Sequence, residues 1–202
     1  MSTALRKNAV QRSSPSQHPR SSKSDTSQPG ERKVIITNGI LTAAGLALTF
    51  YVLYYITPIP VPPLPGLLDR LVFTLRLQSF SCLTLIGGIQ YVALTRFSTT
   101  AIDPINGQGE HHVAVGVRYL TNTVEQLVVS SAGQLILTTY LEEGQMRVIP
   151  ILVLFFVFGR LAFFFGYRAS YLKRTAGFVA TFAASVVVWV VVMFKVITSL
   201  LQ

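Results

Sequence analysis

The chain has 202 residues, of which 50% are hydrophobic and only 12% charged, with a formal net charge of +9. This composition excludes an ordinary soluble domain and points to an integral membrane protein. The charge does not indicate nucleic-acid binding, because seven of the 17 Lys and Arg precede residue 34, and one cysteine excludes a disulfide framework.

Residues 1–33 are rich in Ser, Gln, Pro and basic side chains and nearly lack large apolar ones. Such a segment cannot bury enough surface to offset its ordering entropy, so a disordered cytosolic tail is expected. It reads as a solvated extension, or as a contact for anionic lipid or a phosphorylated regulatory tail. It is not a signal peptide, because both the basic stretch and the apolar stretch after it are too long.

Residues 34–56 form a run of 23 without a charge, long enough to span a ~30 Å hydrocarbon core. The stretch TPIPVPPLPG ends that helix, since proline cannot continue it. Residues 77–95 supply 19 more uncharged positions, preceded by Asp69, Arg70 and Arg76. Cys82 within them reads as a small packing residue. A loop rich in turn signals, RFSTTAIDPINGQGEHH, follows. Its Glu110, His111 and His112 lack a further metal ligand at useful spacing, and no metal site is assigned. A third helix opens at GVRYLTNTVEQLVV, residues 116–129, and runs to about residue 141. After the turn EEGQMR, a fourth helix covers residues 148–168, interrupted by Arg160, and the basic corner RASYLKR leads to a fifth, uncharged over 175–194. The predicted fold is an all-α integral membrane protein with five spans.

Five spans put twelve Lys and Arg on the side of the N-terminus and four (Arg70, Arg76, Arg147 and Lys195) on the other. The positive-inside rule then places the N-terminus in the cytosol.

Arg118, Asn122 and Glu125 fall within a sector of about 60° on one helix face. Glu125 and Arg160 lie at similar expected depths, roughly 15 Å and 12 Å below the cytosolic ends of their helices. Leaving either charge alone in hydrocarbon is costly, so a Glu125–Arg160 ion pair is expected, as helix-to-helix glue or as the floor of a polar pocket. Tyr167 shares the Arg160 face. Arg96, Arg118, Arg168, Lys173 and Arg174 collect at the same mouth, a setting for a small anionic ligand with an amphiphilic partner arriving from the lipid.

VRYLTNTVEQ followed by GRLAFFFGYRASYLKRTAGF resembles the MAPEG superfamily, the membrane-associated proteins in eicosanoid and glutathione metabolism. The resemblance covers residues 67–201 and implies a MAPEG-like four-helix membrane domain, with residues 34–56 as one extra N-terminal transmembrane helix. It also implies a homotrimer with glutathione as a cosubstrate, bound between subunits and facing the cytosol. Arg118, Asn122 and Glu125 would hold the carboxylates and amine of the peptide, and Tyr167 would hydrogen-bond it. Arg174 would be the catalytic group favouring the thiolate. Arg96 would be a further binding residue. Phe163 replaces a tyrosine of glutathione-using members, and the added helix is similar to the divergent mattrin-like branch. That branch implies a scaffold role in membrane trafficking or epithelial maintenance, in the endoplasmic reticulum, Golgi or lysosomal membrane. The enzyme alternative is a glutathione-dependent transferase or peroxidase acting on a lipophilic small-molecule substrate. The expected partners are membrane lipid and further copies of the chain, not nucleic acid.

Overall fold

The computed structural model describes residues 29–103, 105, 109–169 and 174–201. Most of the expected basic tail, and Lys173, lie outside the described residues. Among the described residues, five long helices follow one another. They are α1 (Pro29–Tyr51), α2 (Leu67–Phe97), α3 (Glu110–Tyr140), α4 (Val148–Ala169) and α5 (Arg174–Leu200).

The helix α1 begins at Pro29, inside the segment expected to be tail. A proline suits a first turn, because its fixed φ is helical and its missing N–H is not needed there. A π-helical turn, Val52–Ile56, ends the span, and Thr57 is extended. The proline-rich connection after it is anchored. Leu64 is buried with Met146 and Ile149, and its N–H donates to Glu143 Oε1 at 2.8 Å.

Helix α3 starts at Glu110, earlier than the turn signals predicted. Gly109, at φ 73°, makes the left-handed turn before it. Arg96 then fastens the new first turn, donating to Glu110 Oε1 at 2.6 Å and to the Ala101 carbonyl at 3.0 Å.

Among the described residues, four stretches are long and apolar enough to cross a membrane: Arg32–Ile56, Leu67–Phe97, Glu143–Ala169 and Arg174–Leu200. Helix α3 has 31 residues but carries more polar side chains. Its path is set by α2, which it pairs with in antiparallel fashion. Thr74 meets Thr138 at 2.9 Å at one end. At the other, an added Cβ on Gly116 would lie 2.6 Å from Val92. The α2 side of this contact covers about 27 Å of helix axis, close to a full hydrocarbon thickness. Helix α3 therefore crosses with the rest, and its polar side chains turn inward.

Those polar groups form a hydrogen-bonded ladder. Gln78 Nε2 donates to Gln134 Oε1 at 2.6 Å, Gln134 Nε2 to Ser130 Oγ at 2.8 Å, and Ser131 Oγ to Gln78 Oε1 at 2.9 Å. In a medium without water, such bonds hold helices together that apolar contact alone would not. Glycine sets the closest approaches. A Cβ on Gly177 of α5 would lie 2.5 Å from Phe163 Cα of α4, and one on Gly88 of α2 would lie 2.6 Å from the Tyr119 ring of α3. Helix α1 sits outside this four-helix core against α5, with Gly39 facing Val179. Cys82 is exposed on α2, facing outward rather than packing in the core.

Candidate functional site

Three helices carry the predicted site residues to one place. Arg118, Asn122 and Glu125 from α3, Phe163 and Tyr167 from α4, and Arg174 from α5 line a cavity of about 630 Å³. The α3 residues share it because they lie on one helical face. Phe163 and Tyr167 are one turn apart on α4 for the same reason. Arg174 opens α5, and its guanidinium carbon stands 4.9 Å from the centre of the Tyr167 ring. That cation–π contact orients the arginine at the rim.

The charges inside are uneven. Arg118 and Arg174 supply two positive charges and Glu125 one negative, and both Arg118 and Glu125 are exposed to the cavity side. Neither makes a salt bridge among the described residues, in contrast to Arg96, which pairs with Glu110 at 2.6 Å. The set is therefore free to meet a ligand with carboxylates and an amine.

The expected Glu125–Arg160 ion pair is not made. Arg160 is fully buried. One guanidinium nitrogen donates to Asn122 Oδ1 at 2.7 Å, and the other donates to Thr181 Oγ1 and to the Gly177 carbonyl. The Phe163 ring lies 4.9 Å from its guanidinium carbon. Similar depth did bring Arg160 toward the α3 polar face, but Asn122, one turn from Glu125, takes the contact. Glu125 is left to the cavity. Arg160 forms a wall behind the site and fixes the Asn122 amide, whose nitrogen remains for a ligand.

Arg96 is also placed differently. It does not line the cavity, because its guanidinium is held by Glu110 and Ala101 in the α2–α3 connection. Arg168 likewise leaves the cavity and lies over the Tyr91 ring at 5.7 Å, tying the end of α4 to α2.

The sequence reading missed Ile35, Thr121 and Phe178, which line the same cavity. Thr121 and Phe178 had a signal, being three and four residues from Arg118 and Arg174 on the same faces. Ile35 had none, since the side on which α1 docks is not written in its near-uniform apolar pattern.

The model of the MAPEG family matches residues 79–194. The chain belongs to the MAPEG family. It is also 26% identical over 132 residues to Transmembrane protein 79 of Mus musculus and of Bos taurus, covering 65% of this chain. The chain spans about a third of the length of these curated relatives, 34% and 33%. No solved structure matches it. The matched stretch holds α3, α4 and most of α2 and α5, so the candidate cavity lies mainly within the family domain and α1 outside it.

Proposed function

We propose that this MAPEG membrane protein acts as a scaffold of the endomembrane system that keeps a cytosol-facing pocket for glutathione or a closely similar peptide. The carrying observation is the convergence of Arg118, Asn122, Glu125, Tyr167 and Arg174 on one cavity. Its volume falls in the usual range of about 300–1,000 Å³ for small-molecule sites. Glutathione has two carboxylates and one ammonium. Arg118 and the Asn122 amide suit a carboxylate, and Glu125 suits the ammonium. The scaffold part rests on likeness to Transmembrane protein 79 and on α1, which has no counterpart in the matched family stretch.

Phe163 weakens the pocket. It lines the cavity without a hydroxyl, so a ligand group there lacks a donor, at a cost of roughly 1–3 kcal/mol. A second reading, a glutathione-dependent transferase or peroxidase, is favoured by Arg174. A fixed cation at the rim would favour the thiolate form of a bound thiol.

The test is thermal unfolding of the detergent-purified protein with glutathione. Ligand at 100 times its Kd should stabilise the folded state by about 2.7 kcal/mol. Phe163→Tyr should tighten binding about 5-fold or more. If neither the wild type nor Phe163→Tyr responds, the pocket reading fails, and the enzyme reading with it.

A further inference from the structure

A second cavity, of about 590 Å³, lies at the opposite end of the bundle, between α1 and the family core. Ala43 and Ala47 of α1 face Ala183, Ala184 and Val187 of α5 across it, and Leu152 of α4 lines its inner side. Small side chains on both facing helices leave the space open. Lining residues on α1 and the turn after it run from Ala43 to Tyr55, about 18 Å of axis and close to one leaflet of a ~30 Å core.

The cavity is polar at one end only. Tyr54, Tyr55 and Gln145 line that end. Gln145 Oε1 accepts the Glu142 N–H at 3.0 Å, which leaves its amide nitrogen as a donor. Arg147 stands beside them, half-buried, with one nitrogen donating to the Tyr54 carbonyl at 3.3 Å and its guanidinium carbon 5.7 Å from the Tyr54 ring. No carboxylate among the described residues lies within ion-pair distance of Arg147. The neighbouring Glu143 is committed to the Leu64 N–H.

We infer that this cleft is a binding site for a single long-chain fatty acid, with its tail between α1 and α5 and its carboxylate at Arg147 and Gln145. In a bilayer, apolar burial does not select the occupant, because lipid tails are already apolar. Some chain will fill the space, and the polar end decides which. Arg147 offers a charge-assisted, two-pronged bond to a carboxylate. One carboxylate matches the single charge of Arg147, whereas a bulkier and more highly charged phosphate headgroup would find no second cation among the residues lining this end. The site is separate from the Arg118–Arg174 cavity and does not depend on the glutathione reading.

The experiment uses the full-length protein in lipid nanodiscs with a photoreactive palmitic acid analogue and its methyl ester. Crosslinked peptides are mapped by mass spectrometry. The acid should label α1 and α5 near Ala47 and Ala183, about tenfold more than the ester, since the ester cannot form the charged bond. Arg147→Gln should bring the acid down to the ester's level, and Ala47→Phe with Ala183→Phe should abolish labelling by both. Equal labelling of the wild type by acid and ester would overturn the inference, and that comparison needs no variant to fold. A crosslink from the cleft to a second copy of the chain would also overturn it, by showing that protein fills the space.

Discussion

Three acceptors surround the guanidinium of Arg160, and none is a carboxylate. The charge is spread over neutral dipoles and the Phe163 and Phe156 rings. Truncation would leave Asn122 and Thr181 without that donor and open a void where three helices meet. Arg160→Ala should therefore cost about 3 kcal/mol or more, read as a lower unfolding midpoint in detergent. Glu125→Ala should change stability by only about 0.5 kcal/mol, because Glu125 makes no bond within the bundle. It should weaken glutathione binding instead. A large stability loss from Glu125→Ala would show that the glutamate is structural after all. The contrast marks where sequence reading stops. Depth along a helix is legible, since each residue rises a fixed distance, and it placed Arg160 level with the polar face of α3. Choosing between Asn122 and Glu125 needs the rotation of α4 about its axis. That rotation is set by the tight Gly159 and Gly177 contacts, which the sequence does not announce.

Helices α4 and α5 are held at a distance that only glycine permits. An added Cβ on Gly177 would overlap the Phe163 backbone, and one on Gly159 would lie 3.2 Å from the Ala180 Cβ. Backbone cannot yield as a side chain can, so Gly177→Ala should destabilise by about 1–3 kcal/mol or more. Gly45 of α1 is the control, for nothing lies within 4 Å of its would-be Cβ. Gly45→Ala should be neutral or stabilising by about 0.5–1 kcal/mol through helix propensity. Thermal unfolding of the two variants separates the outcomes, and equal losses would show that α1 packs as tightly as the core. The existence and order of the helices were readable from uncharged runs and turn residues. The start of α3 was not, because Glu110, His111 and His112 look like loop until Arg96 is seen holding Glu110. Orientation belongs to this scale too. We propose a cytosolic N-terminus, the side that twelve basic residues against four favour. A glycosylation tag there should stay unmodified in cells, while the same tag at the C-terminus should be modified; the reverse pattern would invert the topology.

The outer face of α3 bears on the assembled molecule. Val117, Thr121, Val124 and Val128 are all exposed in the single chain. Their spacing of four, three and four residues is that of a helix seam that packs against another helix. Arg118 and Glu125 flank the seam and are exposed as well. A lone chain in a bilayer would turn these charges toward lipid, at about 2.5–3.5 kcal/mol for such a residue at mid-membrane on insertion scales. A neighbouring copy laid along the seam would replace that lipid with protein and close the open side of the cavity. We propose three copies, the arrangement that the MAPEG resemblance implies. In native-like lipid the particle should therefore have about three times the 22.2 kDa chain mass. Val124→Asp, which puts a charge at the centre of the seam, should shift the population toward single chains. Glutathione stabilisation should fall with it, because the cavity would lose its outer wall. A wild-type protein that is monomeric in lipid yet still stabilised by glutathione would show that one chain completes the site, with α1 and its Ile35 serving as the outer wall in place of a neighbour.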